Sequence, residues 1–348
     1  MIRKKIAVRI PGKLFLTGEY AVLYSAPAII TGVDRFAIIE LQPCEEKYST
    51  FTSFSPDINK MSFTVENQRI KLPADSFPVE KFTFFTAALE TFYKFYPEVN
   101  TLDKISISAD TRQFFTHGDN KFGFGSSAAV TVGLISGLYQ YYFDKKLHPA
   151  RLIKMAIESH RSAQKKSGSG GDIAVAALSG TILFRKNVNS HAVHYKKVSI
   201  PKGLTIIPIF TGKSASTSDY LKKIENFSVG NGALFNELMA ELKNVATISA
   251  DQFVSGENEL FMESISQYFE LLQKLGNAAG INIISKEHDE ISGIVGDAGG
   301  VYKPSGAGGG DVGLAYFCDN FSFFDLKEEL KNNGYEILDI SLGLQKWI

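Results

Sequence analysis

Weak alternation of apolar and polar positions over residues 6–10 stops at Pro11-Gly12, which predicts a short strand entering a turn. Residues 28–41 form an Ile- and Val-rich run carrying Phe36, and they predict a long strand interrupted at Asp34-Arg35. Between residues 79 and 96, apolar positions recur at helical spacing, with many aromatics on the buried face. Ile105 and Ile107 alternate with Ser106 and Ser108, so residues 104–109 predict a strand. Helices are predicted over 126–143 and 149–166, followed by a strand over 180–184. Residues 186–202 are polar and patternless, and a domain boundary placed there divides the chain into 1–190 and 191–348.

A buried strand over 204–210 opens the second half, and helical patterns then dominate residues 218–275. An apolar strand at 313–317, a helix at 324–332 and a last strand at 335–340 complete the pattern. Strands and helices are mixed without regular βαβ alternation, which predicts an α+β fold rather than a doubly wound sheet. The chain shows no internal repeat and no low-complexity tract.

Composition narrows the functional classes. Hydrophobic residues make up 44% of the 348, enough for a substantial core. Lys+Arg and Asp+Glu are 37 each, so the basic excess of a nucleic-acid or membrane-surface binder is missing. Cys44 and Cys318 are the only cysteines, too few for a disulfide framework or metal cluster, and a reducing cytoplasm fits them. The N-terminus starts with charge and lacks the apolar region of a secretory signal; no run reaches membrane-spanning length. The expectation is a soluble cytoplasmic protein with neither nucleic-acid nor membrane partners. His117, His148, His160, His191, His194 and His288 show no metal-ligand spacing and are expected to be structural or exposed.

Three glycine-rich segments carry candidate chemistry. In Asn120-Lys121-Phe122-Gly123-Phe124-Gly125-Ser126-Ser127-Ala128-Ala129-Val130, two glycines let the backbone approach a ligand, and Ser126 or Ser127 can cap the following helix. The free N–H groups at that helix end make an anion site, for which a polyphosphate is the usual occupant, although a plain capped helix has the same pattern. A P-loop is excluded, because the Gly-Lys-Ser/Thr ending is missing. Lys303-Pro304-Ser305-Gly306-Ala307-Gly308-Gly309-Gly310-Asp311 is either a surface loop or a loop held against phosphates. In Lys165-Lys166-Ser167-Gly168-Ser169-Gly170-Gly171-Asp172, the acid opens an apolar helix as an N-cap or as a catalytic group.

In this order the segments resemble the motifs of the GHMP kinases (galacto-, homoserine, mevalonate and phosphomevalonate kinases). Gly12-Lys13-Leu14-Phe15-Leu16-Thr17-Gly18-Glu19-Tyr20-Ala21-Val22-Leu23 is similar to the first motif, residues 123–129 to the second, and 305–313 to the third. Gly-Glu-Tyr at 18–20 and the serine-glycine stretch before Asp172 look like the phosphomevalonate kinase branch. Thr211-Gly212-Lys213-Ser214-Ala215-Ser216-Thr217 resembles the TGxxAST turn of that branch, and the same residues can cap a helix. Two positions depart from the pattern. Phe124 replaces the usual Leu, and Arg161, eleven residues before Asp172, stands where mevalonate kinases carry a metal-binding Glu.

The resemblance implies a two-domain GHMP kinase fold, with a ribosomal-protein-like N-terminal domain containing a left-handed βαβ crossover and a ferredoxin-like C-terminal domain. It implies ATP and Mg²⁺ as cofactors, with Lys121, Gly123, Phe124, Gly125, Ser126, Ser127 and Ala128 around the ATP phosphates and Ser127 also on Mg²⁺. Lys13 and Asp172 are implied as the catalytic pair. Glu19, Tyr20, Ser169, Gly170, Ser214, Ser216, Thr217, Ser305, Gly306, Ala307 and Gly308 are implied on the substrate side. Lys213, Lys165 and Arg161 are further candidate cations. The acceptor expected is phosphomevalonate, for a monomer or homodimer; the alternatives are mevalonate kinase, another GHMP small-molecule kinase, or a non-catalytic ligand-sensing regulator.

Overall fold

The Ile- and Val-rich run is the spine of the first sheet. In the computed structural model, β1 (Ile6–Thr17) lies antiparallel along one edge of the 17-residue β2 (Pro27–Pro43). The structure describes residues 5–55, 57–72, 82–99, 103–116, 119–164, 168–190, 192–318 and 321–344. The expected turn at Pro11-Gly12 is a register shift inside β1. Proline has no N–H to give a ladder, and a bulge accommodates it without ending the strand. Leu14 and Leu16 continue the buried alternation beyond it, so Lys13 is carried on a strand.

The other edge of β2 is shared. A strand over Ile105–Asp110 takes residues 38–43, and one over Thr181–Lys186 takes residues 27–31. Three strands unread in the sequence, β3 (Ser49–Ser55), β4 (Asp57–Glu66) and β5 (Arg69–Lys71), extend the sheet beyond β6 (Ile105–Asp110). At the far end β8 (Val193–Val198) pairs with β7 (Thr181–Lys186), within the stretch that showed no pattern. Only one face of this outer strand is partly covered, so it needs little apolar alternation.

Four helices cover the sheet: α1 (Thr83–Phe95), α2 (Ser126–Phe143), α3 (Pro149–Gln164) and α4 (Gly171–Leu178). The expected helix segments at 79–81 and 165–166 lie outside the described residues, as do Ser167, His117 and His191. α2 rests directly on β1 and β2. At Gly133 a Cβ would meet Ile39 Cγ1 at 2.4 Å, so glycine sets how closely this helix, and its N-terminus, approach the sheet.

A second sheet has the order β10 (Val301–Pro304), β11 (Val312–Phe317), β9 (Thr205–Phe210), β12 (Glu336–Ile337), antiparallel throughout. Helices α5 (Thr217–Gly230), α6 (Gly232–Ser255), α7 (Asn258–Ala279) and α8 (Lys286–Asp297) lie between β9 and β10, and α9 (Phe323–Asn332) between β11 and β12. That order and those connections are ferredoxin-like, with α8 unforeseen and β12 shorter than expected. The two sheets share one buried cluster, in which Ile10, Leu14 and Leu16 join Val312, Leu314 and Tyr316. Tyr316 Oη donates to Leu16 O at 2.6 Å across the junction. Among the described residues, no helix is long and apolar enough to cross a membrane.

Candidate active site

β1 and the loop before α2 meet at Lys13. Its backbone N–H donates to Phe124 O at 2.9 Å, and its Nζ donates to Gly123 O at 3.1 Å. Burial pushes the amine below the ordinary lysine value, and the carboxylates of Asp172, Asp311 and Glu19 oppose that shift. Those acids favour the charged amine in a poorly hydrated place. Around Lys13 opens a cleft of about 620 Å³, walled by Phe51, Phe84, Phe85 and Phe114 and by the glycine-rich loops.

Neither Ser126 nor Ser127 caps α2, contrary to expectation. Gly125 is the N-cap, in the left-handed region at φ 76°, and no side chain accepts from the first helical N–H groups. Ser127 Oγ instead lies 3.1 Å from His160 Nε2. Because Gly125, Ser126 and Ser127 line the cleft, the positive end of an 18-residue helix faces it with unused donors.

Asp172 is not a cap either. Gly170 holds that position of α4, and Asp172 lies in the first turn with Oδ1 accepting from the Ile173 N–H at 2.9 Å. It lines the cleft beside Ser169 and Gly170. Lys13 Nζ is bonded to Gly123 O and not to Asp172, so acid and amine are coupled through their charges.

Asp311, at the end of the loop that follows Lys303, fastens that loop to the 211–215 turn with three bonds. Its Oδ1 accepts from the Ala215 N–H at 3.1 Å, its N–H donates to Lys213 O at 2.7 Å, and its carbonyl accepts from Thr211 Oγ1 at 3.0 Å. Burial raises the carboxyl to about 6, against the Ala215 hydrogen bond and the charges of Lys13 and Lys121. A carboxyl whose folded value lies above its unfolded 3.8 holds its proton more tightly in the fold. Its contribution to stability is therefore full below about pH 4 and falls as pH rises through about 6. Asp311→Asn should remove that loss. Relative to wild type, the variant should gain on the order of 2–3 kcal/mol between pH 4 and pH 7.5. Denaturant unfolding of both proteins at the two pH values measures it; a difference independent of pH would contradict the assignment.

Glu19 and Lys303 form a buried ion pair that joins the first motif to the third. Lys303 Nζ also donates to Pro304 O at 2.7 Å, and Tyr20 Oη donates to Ala307 O at 2.5 Å. Ser305 is fastened to β1, accepting from the Phe15 N–H at 2.8 Å and donating to Phe15 O at 3.0 Å.

The cleft thus gathers Lys13, Glu19, Tyr20, Lys121, Gly123, Phe124, Gly125, Ser126, Ser127, Ser169, Gly170, Asp172, Ser216, Thr217, Gly306 and Ala307. Four expected residues do not line it. Ala128 is buried in the core, Ser305 is held on Phe15, and Gly308 lies against Ile283, where a Cβ would meet the carbonyl oxygen at 2.3 Å. Ser214 Oγ accepts from the Lys121 N–H at 2.8 Å, so it clasps two loops together. Lys213 is spent on an ion pair with Glu287, whose carboxyl that bond holds well below the usual range, and Lys165 lies outside the described residues.

Asp311, His160 and Lys303 were missed as participants because their roles come from contacts far along the chain. His288 is structural, as expected: burial lowers it to about 4, and its ring bonds Tyr302 Oη at 2.8 Å and Gly310 O at 3.0 Å.

Comparison with known proteins agrees with this architecture. Residues 84–180 match the family profile for the GHMP kinases N terminal domain. The phosphomevalonate kinase of Streptomyces sp. strain CL190 is 25% identical over 343 residues, covering 90% of each chain. The mevalonate kinase of Pyrococcus furiosus is 23% identical, covering 88% of this chain and 87% of its own. The solved structure of Streptococcus pneumoniae phosphomevalonate kinase in complex with phosphomevalonate and AMPPNP superposes with a TM-score of 0.81 at 21% identity, covering 97% of this chain and 99% of that one. Residues 84–180 thus match a GHMP kinases N terminal domain, the chain is similar along most of its length to kinases that act on phosphomevalonate or mevalonate, and it is a phosphotransferase.

Proposed function

We propose that the chain transfers the γ-phosphoryl group of ATP to (R)-5-phosphomevalonate, forming 5-diphosphomevalonate in the mevalonate pathway of isoprenoid biosynthesis. The observation that carries this is the convergence in one cleft of a half-buried lysine, an uncapped helix N-terminus and Asp172. The Streptomyces relative and the phosphomevalonate kinase of Saccharolobus solfataricus, 25% identical over 340 residues, support the choice of acceptor.

In this reading the N–H groups around Gly123, Gly125 and Ser126 hold the nucleotide phosphates, and Lys13 offsets the charge that spreads over the transferred group. The acceptor phosphate has a second pKa of about 6, so it arrives mostly as a dianion. One of its oxygens attacks Pγ, the Pγ–O bond to ADP breaks, and no proton has to be removed. Asp172 then serves mainly to keep Lys13 charged and oriented. A hydroxyl acceptor would demand a base instead.

The donor set suits a Mg²⁺ ion that travels with the nucleotide. Ser127 Oγ borders the cleft, and among the described residues no three His, Cys, Asp or Glu converge into a metal site. Mg²⁺ is commonly held largely by phosphates and waters, which leaves Ser127 as its protein hydroxyl here, and it would neutralise phosphate charge. Ser216 and Thr217 are proposed on the acceptor side, and a cytoplasmic setting, a monomer or homodimer, and a division near residue 190 belong to the same proposal.

ADP release measured against phosphomevalonate, mevalonate, galactose and homoserine tests this reading. Turnover of mevalonate alone would make the chain a mevalonate kinase. ATP binding without turnover of any acceptor would make it a ligand-sensing regulator.

A further inference from the structure

Arg161, near the C-terminal end of α3, lines the cleft, and its Nε and Nη2 are buried without a hydrogen-bond partner. A second cation stands close by. Lys186 Nζ donates to Gly168 O at 3.1 Å, and its amine is held below the ordinary lysine value by burial and then by the charge of Arg161. The acids of the cleft are engaged elsewhere: Glu19 pairs with Lys303, while Asp172 and Asp311 act on Lys13. His160, the preceding residue, bonds Ser127 at the start of α2, so this end of α3 adjoins the helix terminus that faces the cleft.

Two guanidinium nitrogens buried without partners are costly, and an anion bound in the cleft would offset that cost. The planar fork of donors matches phosphate oxygens, to which arginine binds in paired hydrogen bonds. A guanidinium cannot ligate Mg²⁺, so it acts on the oxyanion itself. We propose that Arg161 is a phosphate-binding residue of the cleft, receiving phosphate oxygens on its two unpartnered nitrogens. The proposal rests on the reading that phosphate groups enter this cleft. Two sources share that chemistry, the acceptor phosphate and the phosphate tail of ATP.

The test compares the full-length wild type with Arg161→Met and Arg161→Lys. Each protein is titrated calorimetrically with ATP and, separately, with phosphomevalonate, and each ligand-free protein is melted. Arg161→Met should weaken the Kd for one ligand by about 10- to 100-fold, the range for a hydrogen bond to a charged group. Arg161→Lys should restore part of it. The melting temperature of the Met variant should not fall, because the charge removed had no partner in the ligand-free fold.

Weakening confined to phosphomevalonate supports the proposal and assigns the phosphate to the acceptor. Weakening confined to ATP supports it and assigns the phosphate to the nucleotide. Affinities unchanged within about twofold for both ligands overturn it. A loss for both that accompanies a fallen melting temperature also overturns it, since that is how a structural arginine behaves. If the wild type binds ATP but not phosphomevalonate, the acceptor reading fails by itself; the ATP arm then decides on Arg161, and unchanged ATP binding in the Met variant overturns its role.

Discussion

Replacing Lys13 with methionine should lower kcat by on the order of 10³-fold or more while the protein stays folded, because in the proposed mechanism the change deletes the half-buried charge that offsets the transferred phosphoryl. Met keeps the length and apolar stem of lysine, so packing on β1 is retained. Asp172→Asn should cost less, about 10- to 100-fold, if the acceptor arrives ionised and no proton is taken from it. It should also displace the basic limb of the pH–rate profile. Asp172 is the foremost of the acids that favour the charged Lys13, so deleting it lowers the amine further and moves that limb to lower pH. Kinetics of the two variants across pH check both expectations. An inactive Asp172→Asn beside an active Lys13→Met would make Asp172 a true base, and a hydroxyl acceptor the better choice.

Gly125→Val should abolish measurable ATP binding, with a loss of about 10²-fold or more if any binding survives, while the rest of the fold persists. Gly125 has φ 76°, where a β-branched residue is strained, and its Cβ would stand 3.2 Å from Lys13 Cε. The added bulk would displace both the helix donors and the amine. Nucleotide titration alongside thermal melting reads the result. ATP affinity kept by a folded variant would remove this loop from the nucleotide site.

The residues that could be read from sequence were those whose chemistry leaves a local trace. Gly123, Gly125 and Gly306 have positive φ, and glycine is the residue that adopts it without strain, so the loops announced themselves. α2 was equally plain, since its apolar positions run through an 18-residue helix. The local structure of Lys13 is harder to read, because Pro11-Gly12 has the look of a turn while Leu14 and Leu16 continue the buried alternation of a strand beyond it.

Long-range partnerships left no such trace. Lys303 pairs with Glu19, and the Asp311 carboxylate accepts from Ala215, across most or much of the chain. Ser214 was given to the acceptor by analogy, whereas its hydroxyl is spent on the backbone of Lys121. β3 intersperses phenylalanine among serine and threonine, and β4 and β5 carry few apolar positions on a half-covered surface, patterns too weak to separate from loop.

One ratio tests the identity of the acceptor most directly. Steady-state ADP release with saturating MgATP yields kcat/KM for phosphomevalonate and for mevalonate under the same conditions. A site arranged to bind the acceptor phosphate should favour phosphomevalonate by at least about 10³-fold, because mevalonate would leave its cations unpaired. A ratio near one, or in favour of mevalonate, would contradict the account.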